Sequence, residues 1–124
     1  MSAMEGYLQA ANRASRGEDL AGFRSLFSDS CGLCMTQYTN FMNASAQGQI
    51  AEGTLYEEWK IDVQSHDDRL ALITTRVNTG DVTLRAGDGS VVATFPREVG
   101  VNTAWTLNAQ AGGGWTVVSA QDLP

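Results

Sequence analysis

The eleven residues from Thr54 to Gln64, TLYEEWKIDVQ, decide how the rest of the chain is read. Leu55, Trp59, Ile61 and Val63 alternate with Glu58, Lys60, Asp62 and Gln64. A period of two puts apolar side chains on one side of a strand and charged ones on the other. Upstream the period differs. Met4, Tyr7, Leu8 and Ala11 recur at i, i+3, i+4 and i+7, one stripe of a helix predicted over residues 3–15 and stopped by Gly17. A second helix, predicted over 18–27, has Leu20, Phe23 and Phe27 on one face and Glu18 and Asp19 at its positive end. The third, over 32–47, carries Cys34, Tyr38, Phe41, Met42 and Ser45 as its stripe, with Gly48 as its stop.

Downstream of the quoted segment every pattern is that of strands. The turn His66-Asp67-Asp68 precedes Arg69–Arg85, which reads as one long strand bent at Gly80 or as two. Ala86-Gly87-Asp88-Gly89 is a hairpin turn, and Val91, Ala93 and Phe95 open a strand that Pro96 ends or confines to an edge. Val99, Val101, Thr103, Trp105 and Leu107 alternate cleanly, Gly112-Gly113-Gly114 turns the chain, and Trp115, Val117 and Ser119 form the last strand, near 120. Helices first and strands after, with short connections, predict a single α+β domain over 1–124, its helices packed on one face of a curved antiparallel sheet of four to six strands.

Composition excludes several function classes. The 124 residues are 43% hydrophobic, enough for one core, and carry 14 acidic against 8 basic side chains, a net charge of -6. No stretch concentrates Lys or Arg, so nucleic acid and anionic lipid surfaces are not expected as partners. No run approaches the roughly 20 apolar residues that span a bilayer. The first twenty residues are already amphipathic and lack the apolar core of an export signal, which leaves a cytoplasmic protein or a trimmed secreted domain.

The order of helices and strands resembles the cystatin-like or nuclear-transport-factor-2-like cone, in which helices cross a curved sheet and close a pocket. More narrowly, FRSLFSDSCGLCMTQYTNFMNASAQGQIAEG followed by WKIDVQSHDDRLALITTRV resembles an uncharacterised family of actinobacterial secreted lipoproteins, over roughly Tyr7 to Val118. That resemblance implies the fold and an extracytoplasmic location, secreted or attached to the cell envelope, with the membrane reached only through an N-terminal anchor that has been removed. It implies no activity.

The only two cysteines, Cys31 and Cys34, stand three apart at the start of the third helix. Cys31-Gly32-Leu33-Cys34 has the C-G-x-C form of thioredoxin-like enzymes, and a helix start would favour a thiolate there. The surrounding pattern is wrong for that chemistry, because a helix precedes the pair and Ser30 stands where an aromatic is expected. A metal centre wants four ligands, and beyond the pair there is only His66, in a charged turn, so neither metal nor cofactor is expected. A disulfide staple between Cys31 and Cys34 fits better, contributing about 2 kcal/mol for so short a loop. Two free thiols in a cytoplasmic protein are the alternative.

Pocket-lining candidates are Tyr38, Phe41, Glu57, Trp59, Arg76 and Trp105, with Trp115 beside them; aromatics at such spacing otherwise form plain core. Glu57 shares the parity of Leu55, Trp59 and Ile61, and Arg76 that of Leu70, Leu72 and Thr74, so both are expected to point inward or to pair at the rim. No catalytic residue stands out. The reading that follows is a non-enzymatic extracytoplasmic domain binding a small apolar ligand or a protein partner. The alternatives are a pocket enzyme of the isomerase or dehydratase kind using an inward carboxylate, and a homodimer with packed sheets.

Overall fold

A computed structural model describes residues 2–124. Three helices come first, α1 (Ser2–Ser15), α2 (Leu20–Arg24) and α3 (Gly32–Ala46), followed by seven strands, β1 (Ile50–Glu52), β2 (Tyr56–His66), β3 (Leu70–Thr79), β4 (Val82–Arg85), β5 (Val91–Phe95), β6 (Val101–Ala109) and β7 (Trp115–Asp122). All strand pairings within the sheets are antiparallel. Strands β2-β3-β6-β7 make the main sheet and β1-β4-β5 a smaller one, so the segment around Gly80 is two strands belonging to different sheets. Strand β1 has no counterpart in the sequence reading, because three residues are too few to show a period.

The helices cover one face of the main sheet. Met4, Tyr7, Leu8, Ala11 and Ala14 of α1 are buried, as their spacing requires. Beneath them lie Ala71, Ile73, Thr75 and Val77 of β3, Thr103, Trp105 and Leu107 of β6, and Val117 of β7. Aromatic rings fill the centre: Tyr7 lies 5.2 Å from Phe23 and 5.0 Å from Trp105, and Phe23 lies 5.3 Å from Phe27, in the tilted and edge-on arrangements that aromatic quadrupoles favour.

The second helix is shorter than its pattern suggests. It ends at Arg24, and residues 26–28 run beside the edge strand β7 instead: Val117 N–H donates to the Leu26 carbonyl at 3.0 Å and Ser28 N–H to that of Val117 at 3.0 Å. An exposed sheet edge leaves backbone groups unpaired, and this extended segment satisfies them.

The main sheet has three register shifts; besides one at Val63/Ser65 in β2, two shape the inner face beside the cavity. In β2, Tyr56 pairs with Thr79 but Glu58 with Asn78, so Glu57 is an extra, bulged residue. In β7 a shift lies opposite Thr106/Leu107, where Ser119 pairs with Thr106 and Val117 with Leu107. Each bulge bends its strand and reverses the parity beyond it. Tyr56 and Trp59 thereby face the same side although three residues apart, and Ala120 and Asp122, opposite Trp105 and Thr103, follow Val117 onto the inner side.

The two sheets separate at a backbone crossing that only glycine permits. Gly53 has φ 106°, and a Cβ there would sit 2.1 Å from the Asp81 carbonyl oxygen; one on Gly80 would sit 2.4 Å from that of Thr54. Gly80 N–H donates to Thr54 O at 3.1 Å across the same contact. Gly53→Ala is expected to lower the unfolding free energy by about 3 kcal/mol. Gly112→Ala, with nothing within 4 Å of the new methyl, should change it by less than about 0.5 kcal/mol in the same urea titration.

Candidate functional site

The main cavity, about 480 Å³, opens between α3, the N-terminal helix and the inner face of the main sheet. Leu8, Leu33, Val77, Val101 and Trp105 supply its apolar surface. Gln37, Tyr56, Thr75, Thr103 and Asp122 supply the polar groups. Gln37 is hydrogen-bonded to Tyr56, and Thr103 to Asp122.

The first of these bonds continues a chain that starts in the core. Tyr7 is fully buried, and its hydroxyl donates to Gln37 Oε1 at 2.8 Å; Gln37 Nε2 then donates to the Tyr56 hydroxyl oxygen at 2.7 Å. An amide offers its oxygen only as acceptor and its nitrogen only as donor, so the chain has a direction. The proton of Tyr56 is the one left for an acceptor in the cavity. Asn12 of α1 holds the Tyr56 backbone in place: its Nδ2 donates to Tyr56 O at 3.0 Å, and Tyr56 N–H donates to its Oδ1 at 2.8 Å. The amide stands in for a neighbouring strand on the open edge of β2, beside the bulge.

Two further pairs close the sheet side of the cavity. Trp105 Nε1 donates to Thr75 Oγ1 at 2.8 Å, and Thr103 Oγ1 donates to Asp122 Oδ1 at 3.1 Å. Burial pushes the Tyr56 hydroxyl above the ordinary tyrosine range; the Gln37 hydrogen bond pulls the other way, and the nearby Asp122 carboxylate adds to the rise. Tyr7 is also raised, first by burial and then by the charge that Tyr56 would carry. Both therefore stay neutral donors across the physiological range.

A second cavity, about 350 Å³, lies under the C-terminal half of α3 and against the small sheet. Phe41, Ala44, Ala51, Val82, Leu84 and Phe95 line it, and Leu55, Thr79 and Glu98 line both cavities.

The residues singled out in the sequence divide. Trp105 lines the main cavity and Phe41 the second. Tyr38 is half-buried and packs on Phe27 at 6.2 Å as part of the aromatic core. Trp59 is half-buried at the edge of that core and borders a shallow outer groove with Glu58, Lys60, Arg76 and Asn78. Trp115 and His66 meet in a tilted arrangement at the far end of the main sheet, ring centroids 5.3 Å apart.

The inward placement of Glu57 and Arg76 is corrected. Glu57 is exposed and faces Arg97, with its Oε2 3.4 Å from the guanidinium, because the bulge turns it out of the alternation. Arg76 is exposed on the outer side, since the buried parity of β3 is Ala71, Ile73, Thr75 and Val77 rather than Leu70, Leu72 and Thr74. The groups that do meet in the cavity, Gln37, Tyr56 and Asp122, carried no sequence signal beyond their polarity; only a foreseen bulge in TLYEEW would have turned Tyr56 inward.

Cys31 and Cys34 form a disulfide, both residues fully buried against the core, and the Cys31 sulfur also accepts the Cys34 N–H at 3.3 Å at the start of α3. A redox centre must meet its partner at a solvent-accessible sulfur. This pair braces the helix start.

No family model matches the chain, and no curated protein does. Fourteen chains of solved structures match it, and two show the shared fold. A candidate aromatic ring hydroxylase from Novosphingobium aromaticivorans superposes with a TM-score of 0.57 at 16% identity, over 99% of this chain and 86% of that one. Aln2 from a Streptomyces species gives 0.53 at 14% identity, over 97% and 86%. The likeness is one of architecture, helices on curved antiparallel strands in a cone of the nuclear-transport-factor-2-like kind.

Two outcomes are expected. Tyr7 and Tyr56 keep their protons in the folded chain above about pH 10, where an unfolded tyrosine loses its own. Their contribution to stability is thus intact below about pH 10 and is lost as pH rises beyond it. Urea titrations from about pH 8 to 11 should show the fall, and Tyr56→Phe should flatten it. Replacing both cysteines by Ala should cost about 2 kcal/mol, and dithiothreitol should open the native disulfide appreciably only when denaturant is added.

Proposed function

We propose that the chain is a binding domain for a small, largely apolar molecule bearing a neutral oxygen, which enters the main cavity and accepts the Tyr56 proton. One observation carries this reading: the directed chain from Tyr7 through Gln37 ends on the Tyr56 hydroxyl, which accepts from Gln37 and keeps its own proton to donate, in a residue that lines a mostly apolar cavity. The domain acts outside the cytoplasm, on a secreted or envelope-attached protein. The oxidised, buried cysteine pair supports that location, because such bonds persist where thiols are not kept reduced. A second copy packs on the outer face of the main sheet, where Leu70 and Leu72 are partly exposed.

A second reading rests on Asp122, the carboxylate that lines the same cavity as Tyr56. A neutral tyrosine that polarises a carbonyl and a carboxylate that takes the adjacent proton make an isomerase-like site.

One experiment separates the two. Binding of 2-acetonaphthone, a neutral aromatic ketone, is followed by tryptophan fluorescence, and exchange of its methyl protons in deuterium oxide by NMR. The binding reading expects saturable quenching, weakened about three- to tenfold by Tyr56→Phe, with exchange no faster than in buffer. Accelerated exchange that Asp122→Asn abolishes would replace it with the enzyme. Quenching unaffected by Tyr56→Phe would remove the hydroxyl from the site.

A further inference from the structure

The two cavities adjoin. They share Leu55, Thr79 and Glu98, and α3 roofs both with a single helical face. Leu33, Thr36 and Gln37 line the first; Asn40, Phe41 and Ala44 line the second. Those positions advance by three or four residues, so they form one stripe, and from Leu33 to Ala44 it runs roughly 16 Å at about 1.5 Å per residue.

Chemistry changes along the stripe. The first half presents the Tyr56 hydroxyl, the Gln37 amide and the Asp122 carboxylate; the second is walled by Phe41, Val82, Leu84 and Phe95. Charge is of one sign throughout. Glu98 and Asp122 are the ionisable carboxylates of the two linings, and neither lining contains Lys, Arg or His. A carboxylate ligand would have to leave water without a cation to meet it, beside groups of its own charge.

We infer that the two cavities form one binding track and that the ligand is an elongated, neutral amphiphile of about a ten-carbon chain, its oxygenated head at Tyr56 and its tail under the C-terminal half of α3. This rests on the small-molecule reading of the main cavity and goes beyond it by naming the ligand's shape, charge and direction. Glu98, shared by both linings and exposed, stands where the two chambers meet.

The test uses 2-hexanone, 2-undecanone and decanoate as probes, with calorimetry on the wild-type chain and on Leu84→Trp, which fills the tail chamber. Each added methylene buried should tighten binding about threefold, so 2-undecanone, five methylenes longer, should bind roughly two hundredfold tighter than 2-hexanone. In Leu84→Trp that advantage should fall below about tenfold while 2-hexanone binds as before. Ala44→Phe, which fills the same chamber from the helix side, stands in if Leu84→Trp does not fold. Decanoate should bind at least about tenfold more weakly than 2-undecanone at about pH 7.

Each contrary result has its own meaning. If 2-hexanone binds and 2-undecanone gains nothing, the track is overturned and the single-cavity reading stands. If neither ketone binds, that reading fails as well. Long-chain binding that survives both chamber-filling variants is adventitious surface adsorption and overturns the track, and decanoate binding as tightly as the ketone overturns the charge selection.

Discussion

A phenol buried in an aromatic cluster must give its proton to something, and the demand made by Tyr7 organises the site. Its ring is held by Phe23, Phe27 and Trp105, which leaves the hydroxyl no route to water. An unpaired buried hydroxyl costs on the order of 1–3 kcal/mol, so Gln37 must present its carbonyl oxygen to Tyr7. Once that end of the amide is committed, its NH₂ faces Tyr56, and Tyr56 must face the cavity. A requirement of the core is in this way carried, one hydrogen bond at a time, into the polarity of the ligand site. The buried tyrosine is as much a part of the site as the groups that line it.

How much of this was legible in the sequence depends on where alternation holds. It holds in α1, where the i, i+3, i+4, i+7 stripe is the buried stripe, and in β6, where Thr103, Trp105 and Leu107 are all buried as their spacing demands. It fails in β3, because Leu70 to Val77 is largely apolar or small on both parities. There the smaller Ala71 and the Thr75 hydroxyl go inward, and Leu70 and Leu72 stay outside. Alanine opposite Leu107 leaves room for the helix layer, and Thr75 is required by the Trp105 indole, neither of which is a local property. The fold class survives such errors, since it rests on the change of period near residue 50. The site does not, since it depends on which side each polar residue faces.

Glu57 shows the mechanism of the error most clearly. In a regular strand it would share the side of Trp59 and Ile61, and an inward carboxylate would invite a catalytic reading. The extra residue at the bulge moves Tyr56 into that side and leaves the carboxylate facing Arg97. Nothing in TLYEEW announces the bulge, and the side chain that braces it lies 44 residues away: the amide of Asn12 satisfies both backbone groups of Tyr56 on the open edge of β2. Asn12 itself reads as an ordinary polar position on a helix. A bulge sustained by a distant side chain is invisible to any window shorter than the separation.

The same reasoning explains why there is a second chamber at all. A continuous strand through Gly80 would have kept β4 in the main sheet, beneath the helices, and the space under Phe41 and Ala44 would have been filled by packing. Instead the backbone of Gly53 and Thr54 crosses that of Gly80 and Asp81 at distances no Cβ tolerates, and β4 departs with β1 and β5 as a separate layer. The apolar side chains of that layer, Val82, Leu84 and Phe95, then face α3 across an open gap rather than across a packed interface. Val82 is buried, but Leu84 is only half-buried and Phe95 is exposed, and leaving that apolar surface open forgoes stabilisation of about 25 cal/mol per Å². A ligand with the proposed long apolar tail would recover it on binding, and the incomplete packing of the small sheet would then be a source of affinity.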